Sequence, residues 1–209
     1  MRSPYHRLLE EFNRASVRYV LVGVEGFNQW VPDGQRALET TDMEMAIADD
    51  RRNWEALLGA IARVRDPESG EKFVVVATNS LEAEHIDISS LAKRRRWARW
   101  LSLRGWTLVI EMPNWGYHVE TVIDVSGFSF EELEEDSVVF DRRTVPMRVA
   151  ALHKILESKR LAGREKDKAF FKRYANLIDA AIRSAKARSR GLKPDLTPRE
   201  VGRRKPRLK

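Results

Sequence analysis

The sequence predicts an α/β or α+β core followed by a helical C-terminal part. Three observations lead there. Short apolar runs alternate with stretches of helical spacing from Tyr5 to Arg148. Two long helical patterns follow from Val149 onward. Hydrophobic residues make up 43% of the 209, enough to bury a core. One domain, or a core with a small appendage, is the size expected. The chain has no cysteine, which excludes a disulfide frame and a thiolate metal site. No apolar run reaches the ~18 residues of a membrane span. The opening MRSPYHRLLEEF has acids and helical spacing, unlike a signal peptide. A cytoplasmic protein is the expectation.

Ser3-Pro4 supplies a hydroxyl cap and a proline for the first helical turn. Tyr5, Leu8, Leu9, Phe12 and Ala15 then mark one helix face. RYVLVG, residues 18–23, reads as a short buried strand ending in glycine. Residues 24–30 are ambiguous, with a short helix as one reading, and 31–39 form a loop around Pro32-Asp33-Gly34. Thr40 to Ala48 is a second strand, and Asp49 or Asp50 caps a helix that runs to about Val64. A turn leads to a third strand, Lys72 to Thr78; residues 79–90 carry no clear pattern. Leu91 to Leu103 reads as a basic helix. Trp106 to Met112 and His118 to Val125 are strands joined by the turn PNWG. A turn and a short acidic helix span 126–135, and 138–148 forms a small hairpin around Asp141-Arg142-Arg143. Helices are expected over 149–161 and 166–187.

The net charge of +7 is uneven. From Arg183 onward there are 11 Lys and Arg against 2 Asp and Glu, a net of +9 that leaves −2 for the rest. The stretch 189–209 is rich in Pro and Gly and poor in large apolar residues, so it is expected to be a disordered basic tail. Tracking a phosphate backbone and keeping the protein soluble are equal readings of it. The expected organisation is a core over 1–148 with a basic insert near 91–106, then C-terminal helices over 149–188, then the tail.

ETTDMEMAIADD, residues 39–50, contains the first chemical signal. Residues two apart on a strand share a face. Asp42 and Glu44 therefore project together, with Met43, Met45 and Ile47 opposite. Adjacent carboxylates raise each other's pKa unless a positive charge sits between them. A divalent cation removes the conflict, and Mg²⁺ favours carboxylate oxygens. A pair of ions with a third carboxylate is a device for moving phosphoryl or nucleotidyl groups. The competing reading is a half-exposed strand with two acids in water, since Asp-x-Glu alone is short and common. HVETVIDV offers a third acid in Asp124, with Glu120 on the same face further back. A strand-end acid capping the following Ser-Gly turn is the alternative for Asp124. In the helix after Val149, Leu152, Ile155 and Leu156 form an inward stripe whose next position is Lys159. An inward lysine either snorkels to the surface or reaches an anion. The histidines at 6, 85, 118 and 153 show no metal-ligand spacing; only His118, near the Asp124 strand, merits watching. There is no P-loop, GxSxG or Rossmann fingerprint.

Several segments together resemble the minimal nucleotidyltransferases of the DNA polymerase beta superfamily, and among them the abortive-infection type toxins. These are LLEEFNRASVRYVLVG, TTDMEMAIADDRRNWEALLGAI, VIDV, and VPMRVAALHKILESKRLAGREKDKAFFKRYANLI, in which SKRLAGREKD is the most specific. The resemblance covers two blocks and leaves out the segment from about 72 to 117. It implies a nucleotidyltransferase-like mixed sheet flanked by helices. It implies that Asp42 and Glu44 bind metal and that Asp124 is the third carboxylate, catalytic and metal-binding. Gly23 would end the first strand so that the next helix N-terminus faces a triphosphate. Lys159, Arg164 and Lys166 would face phosphates, with Asp167 orienting them. The chain departs from the family pattern where Val24 and Glu25 follow Gly23, where Leu38 replaces an arginine with Arg36 nearby, and where Glu44 replaces an aspartate.

LAKRRRWARWLSLRGW interleaves Lys93, Arg94, Arg95, Arg96, Arg99 and Arg104 with Trp97, Trp100 and Trp106. The arginines suit backbone phosphates and the indoles suit unpaired bases. An amphipathic helix with its tryptophans on the core side is the alternative, and an acidic protein such as an antitoxin is another partner for the arginines. The functional expectation is transfer of NMP from an NTP, with Mg²⁺ or Mn²⁺, to a hydroxyl of RNA (tRNA included) or protein, in a toxin–antitoxin setting. The alternative is a catalytically degenerate copy of the fold that binds RNA or a partner.

Overall fold

A computed structural model describes residues 4–35, 37–66, 69–79, 81–113, 115–141 and 145–190. Helix α1 (Pro4–Arg14) starts at the proline and buries Tyr5, Leu8, Leu9 and Phe12; the cap expected at Ser3 lies outside the described residues. Strand β1 (Tyr19–Leu21) is buried throughout. Helix α2 (Gly23–Trp30) follows at once, so the ambiguous stretch after Gly23 is helical. After β2 (Asp42–Ile47) comes α3 (Arg51–Arg63), capped by Asp50, whose carboxylate accepts the Asn53 N–H at 2.8 Å. The remaining elements are β3 (Val74–Thr78), β4 (Ala83–His85), α4 (Leu91–Leu101), β5 (Thr107–Glu111), β6 (His118–Val122), α5 (Phe130–Glu135), β7 (Val138–Phe140), β8 (Met147–Val149), α6 (Leu152–Ala162), α7 (Glu165–Arg173) and α8 (Ala175–Ser189).

Three elements differ from expectation. The strand expected over 118–125 ends at Val122. The patternless stretch 79–90 contains β4, whose three residues are all exposed, so there was no buried face for a periodicity to show. The helix expected over 166–187 is two helices meeting at Tyr174 (φ −114°, ψ 23°). Neither proline nor glycine marks the break. Tyr174 and Phe27 both pack on Phe170, with ring centroids 5.7 and 5.2 Å from it. The basic tail expectation falls mostly on 191–209, outside the described residues. Among the described residues no helix is long and apolar enough to cross a membrane.

The eight strands form one mixed sheet in the order β4-β3-β5-β6-β2-β1-β8-β7. β2 runs parallel to β6, and β1 to β8; the other neighbours are antiparallel. α1, α3 and α4 form one helical layer, whereas α2, α6, α7 and α8 pack on one another as a second. On β3, β5 and β6 alternate residues are buried, including Val75, Leu108, Ile110 and Val119, while their neighbours are half-buried or exposed. That part of the sheet is covered on one side only. β1 and the second half of β2 are buried at every position and so are covered on both sides. Asp42 and Glu44 thus stand at the border, where the second helical layer gives way to open sheet.

Candidate active site

The parallel register of β2 and β6 pairs Asp42 with His118 and Glu44 with Glu120. Paired residues of adjacent strands point to the same face, so four polar side chains form a block two strands wide. Donor atoms of Asp42, His118 and Glu120 lie within 4.8 Å of one another. The Thr40 hydroxyl donates to the Asp42 carboxylate and helps orient it. Glu44 lies against Gly23, the first residue of α2, which has φ +59°. A Cβ at Gly23 would overlap Glu44 Oε2, and a side chain at that φ costs about 1–2 kcal/mol besides. Gly23→Ala is therefore expected to displace the Glu44 carboxylate, lowering both thermal stability and divalent-ion affinity; paired melting and ion-titration curves would check it.

Burial pushes the Glu44 carboxyl above its usual range, and the charges of Asp42 and Glu120 push it further. The ammonium groups of Lys159 and Lys166 pull it back. Two acidic and two basic neighbours thus act on one half-buried carboxyl. A divalent cation among the acids would oppose the same upward push. The donor set, mostly carboxylate oxygen, fits such an ion.

Facing the acids is a cationic wall from α6 and α7. Leu152, Ile155, Leu156 and Lys159 form the buried stripe of α6, so the lysine sits in the core boundary rather than in solvent. Its Nζ is 3.7 Å from Asp167 Oδ1 and 5.0 Å from the centre of the Phe170 ring. Gly163, with φ +60°, ends α6 in a left-handed turn and its N–H reaches the Lys159 carbonyl at 3.2 Å. The turn brings Arg164 back over Asp167, to which it donates from Nε at 2.6 Å and from Nη2 at 3.4 Å. Burial of Asp167 disfavours its charge, but the Arg164 hydrogen bond and the charges of Arg164, Lys159 and Lys166 prevail and hold its carboxyl below the usual range. The bond to Asp167, with added fields from Glu44 and Glu120, raises the Arg164 guanidinium.

Acids and cations border one pocket of about 330 Å³. Asp42 and Glu44 contribute from the sheet, Val24 from the start of α2, and Lys159, Arg164 and Lys166 from α6, α7 and the turn between them. Phe170, Arg173 and Tyr174 also line it, on the second helical layer. Glu25 does not line this pocket; its carboxylate accepts from Gln29 Nε2 at 2.8 Å and Asn28 Nδ2 at 3.4 Å.

The structure therefore gathers Gly23, Asp42, Glu44, Lys159, Arg164, Lys166 and Asp167. Asp124 is a correction to the expected set. Along β6 the register moves away from Asp42: Val122 already pairs with Ala46. That is roughly 13 Å along the strand, and Asp124 lies two residues further, exposed. Glu120, rather than Asp124, is the acid of β6 that stands directly beside Glu44. His118 and Tyr174 are further residues that sequence reasoning did not assign. Arg36 lies outside the described residues. None of the arginines of α4 lines the pocket. Arg95, Arg96 and Arg99 are exposed, and Arg94 donates to the Ile88 carbonyl at 2.9 Å. The tryptophans pack together, with ring centroids 5.4 Å apart for Trp97 and Trp100 and 4.7 Å for Trp100 and Trp106. Trp106 is buried and the other two half-buried against the core.

Comparison of the chain with models of protein families, with curated proteins and with solved structures finds no match.

Proposed function

We propose that the protein is a nucleotidyltransferase of the DNA polymerase beta type that moves NMP from a metal-bound NTP to a hydroxyl of RNA. The observation supporting this is one pocket with Asp42 and Glu44 on its sheet side and Lys159, Arg164 and Lys166 on its helical side, with Glu120 paired to Glu44 on the neighbouring strand. That division of charge suits a triphosphate whose oxygens are shared between divalent ions and basic side chains. Asp42, Glu44 and Glu120 would hold Mg²⁺ or Mn²⁺, which when bound neutralises phosphate charge and lowers the pKa of an oxygen nucleophile. Lys159, Arg164 and Lys166 bind phosphates. Asp167 orients Lys159 and Arg164 through its ion pairs with them. Tyr174 and Phe170 offer aromatic surface to the base.

In the reaction the acceptor oxygen forms a bond to the α-phosphorus and the bond to the β-phosphate oxygen breaks. Pyrophosphate leaves, and Glu120 receives the hydroxyl proton. The exposed arginines of α4 favour RNA as the acceptor, because guanidinium groups bind phosphate independently of sequence.

A melting series with ATP, CTP, GTP and UTP, each with Mg²⁺ or Mn²⁺, tests the reading. At a hundredfold excess over its dissociation constant the right nucleotide stabilises by about 2.7 kcal/mol, a rise of roughly 5–11 °C for a chain of this size. No shift with any pair would overturn nucleotide transfer and leave an RNA- or partner-binding module.

A further inference from the structure

We propose that His118 is a nitrogen ligand of the cation site and that it makes the site prefer Mn²⁺ to Mg²⁺. The inference deepens the nucleotidyl-transfer reading, since it concerns the same site, yet it has its own test. The registers place Asp42, His118 and Glu111 in one row across β2, β6 and β5. Asp42, His118 and Glu120 each present a donor atom within 4.8 Å of the other two. Donors bound at about 2.1 Å from one ion lie within about 4.2 Å of each other, so modest side-chain rotation closes the set. Their strands are already fixed by the sheet, and the His118 N–H bonds to the Thr41 carbonyl at 3.1 Å, which extends the pairing to the metal end of β6.

Donor chemistry then sets the preference. Mg²⁺ takes oxygen ligands, keeps several waters and gains little from imidazole. First-row transition ions accept imidazole nitrogen together with carboxylate. Metal-binding histidines commonly have a carboxylate beside the ring to fix its orientation. Glu111 is paired with His118 on the strand away from Asp42, the side where such a partner would stand. Glu44, by contrast, is packed against Gly23 at the inner border of the block. Asp42, His118 and Glu120 thus form the mixed nitrogen–oxygen site.

The test uses the full chain and MnCl₂ or MgCl₂ without nucleotide. Pulsed electron paramagnetic resonance of bound Mn²⁺, with ¹⁵N-labelled histidine, should show a directly coordinated nitrogen in the wild type. His118→Asn should remove that coupling and lower Mn²⁺ affinity by about 10–100-fold, with Mg²⁺ affinity changed less than about twofold. Absence of nitrogen coupling in the wild type, or equal losses for both ions in the variant, overturns the proposal. The wild-type spectrum decides this even should His118→Asn fold poorly. Nitrogen-coupled Mn²⁺ without any nucleotide-induced melting shift would sustain the metal assignment while rejecting transfer; the reverse pair of results would reject His118 alone.

Discussion

Asp42→Ala is expected to cut the proposed transfer of labelled nucleotide by about a hundred- to a thousandfold, on the scale of lost electrostatic stabilisation, and Glu120→Gln to do nearly the same. Asp42 belongs to the group of donors within 4.8 Å of one another. Removing it takes away an oxygen ligand and the charge that neutralises an ion. Glu120→Gln keeps shape and removes both the charge and the proton acceptor. Asp124→Asn is expected to keep the wild-type rate, because Asp124 is exposed and beyond the far end of β6. The three variants, assayed side by side, separate the two candidate third acids. Retained activity in Asp42→Ala would end the mechanism, and loss in Asp124→Asn with Glu120→Gln active would reverse the assignment drawn from the register.

Asp167→Asn should lower stability by about 3–5 kcal/mol at neutral pH, the usual cost of leaving a buried charge without its partner. The melting temperature would fall by roughly 6–20 °C. Asp167 is 2% exposed and stands between Lys159, itself buried, and Arg164. Glu44 still faces Lys159 in the variant, which favours the lower end of that range. The pH dependence has a definite sign. Asp167 is held below its ordinary value of 3.8 in the folded protein. Its contribution is therefore complete above that value and is lost as pH falls through the lower folded pKa. Wild type and Asp167→Asn should differ fully at pH 7 and converge in strong acid. Denaturant titrations at several pH values would show it; a gap that stays constant into acid, or a negligible one at pH 7, would contradict the buried ion-pair account.

Most of the fold could be read from the chain because its signals are local. The alternation of Asp42 and Glu44 with Met43 and Met45 is a period of two, and the structure buries the methionines while leaving the acids half-buried. The stripe Leu152, Ile155, Leu156 and Lys159 is a helical period, and all four are buried. What escaped had no local mark. The exposed strand β4 has no apolar side to alternate. The α7–α8 break keeps its aromatic spacing across Tyr174 and has neither proline nor glycine. Asp124 and Glu120 share a face, so the strand pattern could not choose between them.

By itself the sequence determined which side chains point together: the acids of β2, the lysine on the inward stripe of α6, and the basic turn after Gly163. Those directions follow from the geometry of one strand or one helix. Only the tertiary structure decided which elements meet. The parallel register of β2 and β6 set Glu120 beside Glu44 and His118 beside Asp42, and the return of α7 over α6 set Arg164 and Asp167 beside Lys159. Register between distant strands depends on how whole faces bury, and a shift of two residues keeps every side chain on its face while changing all its partners.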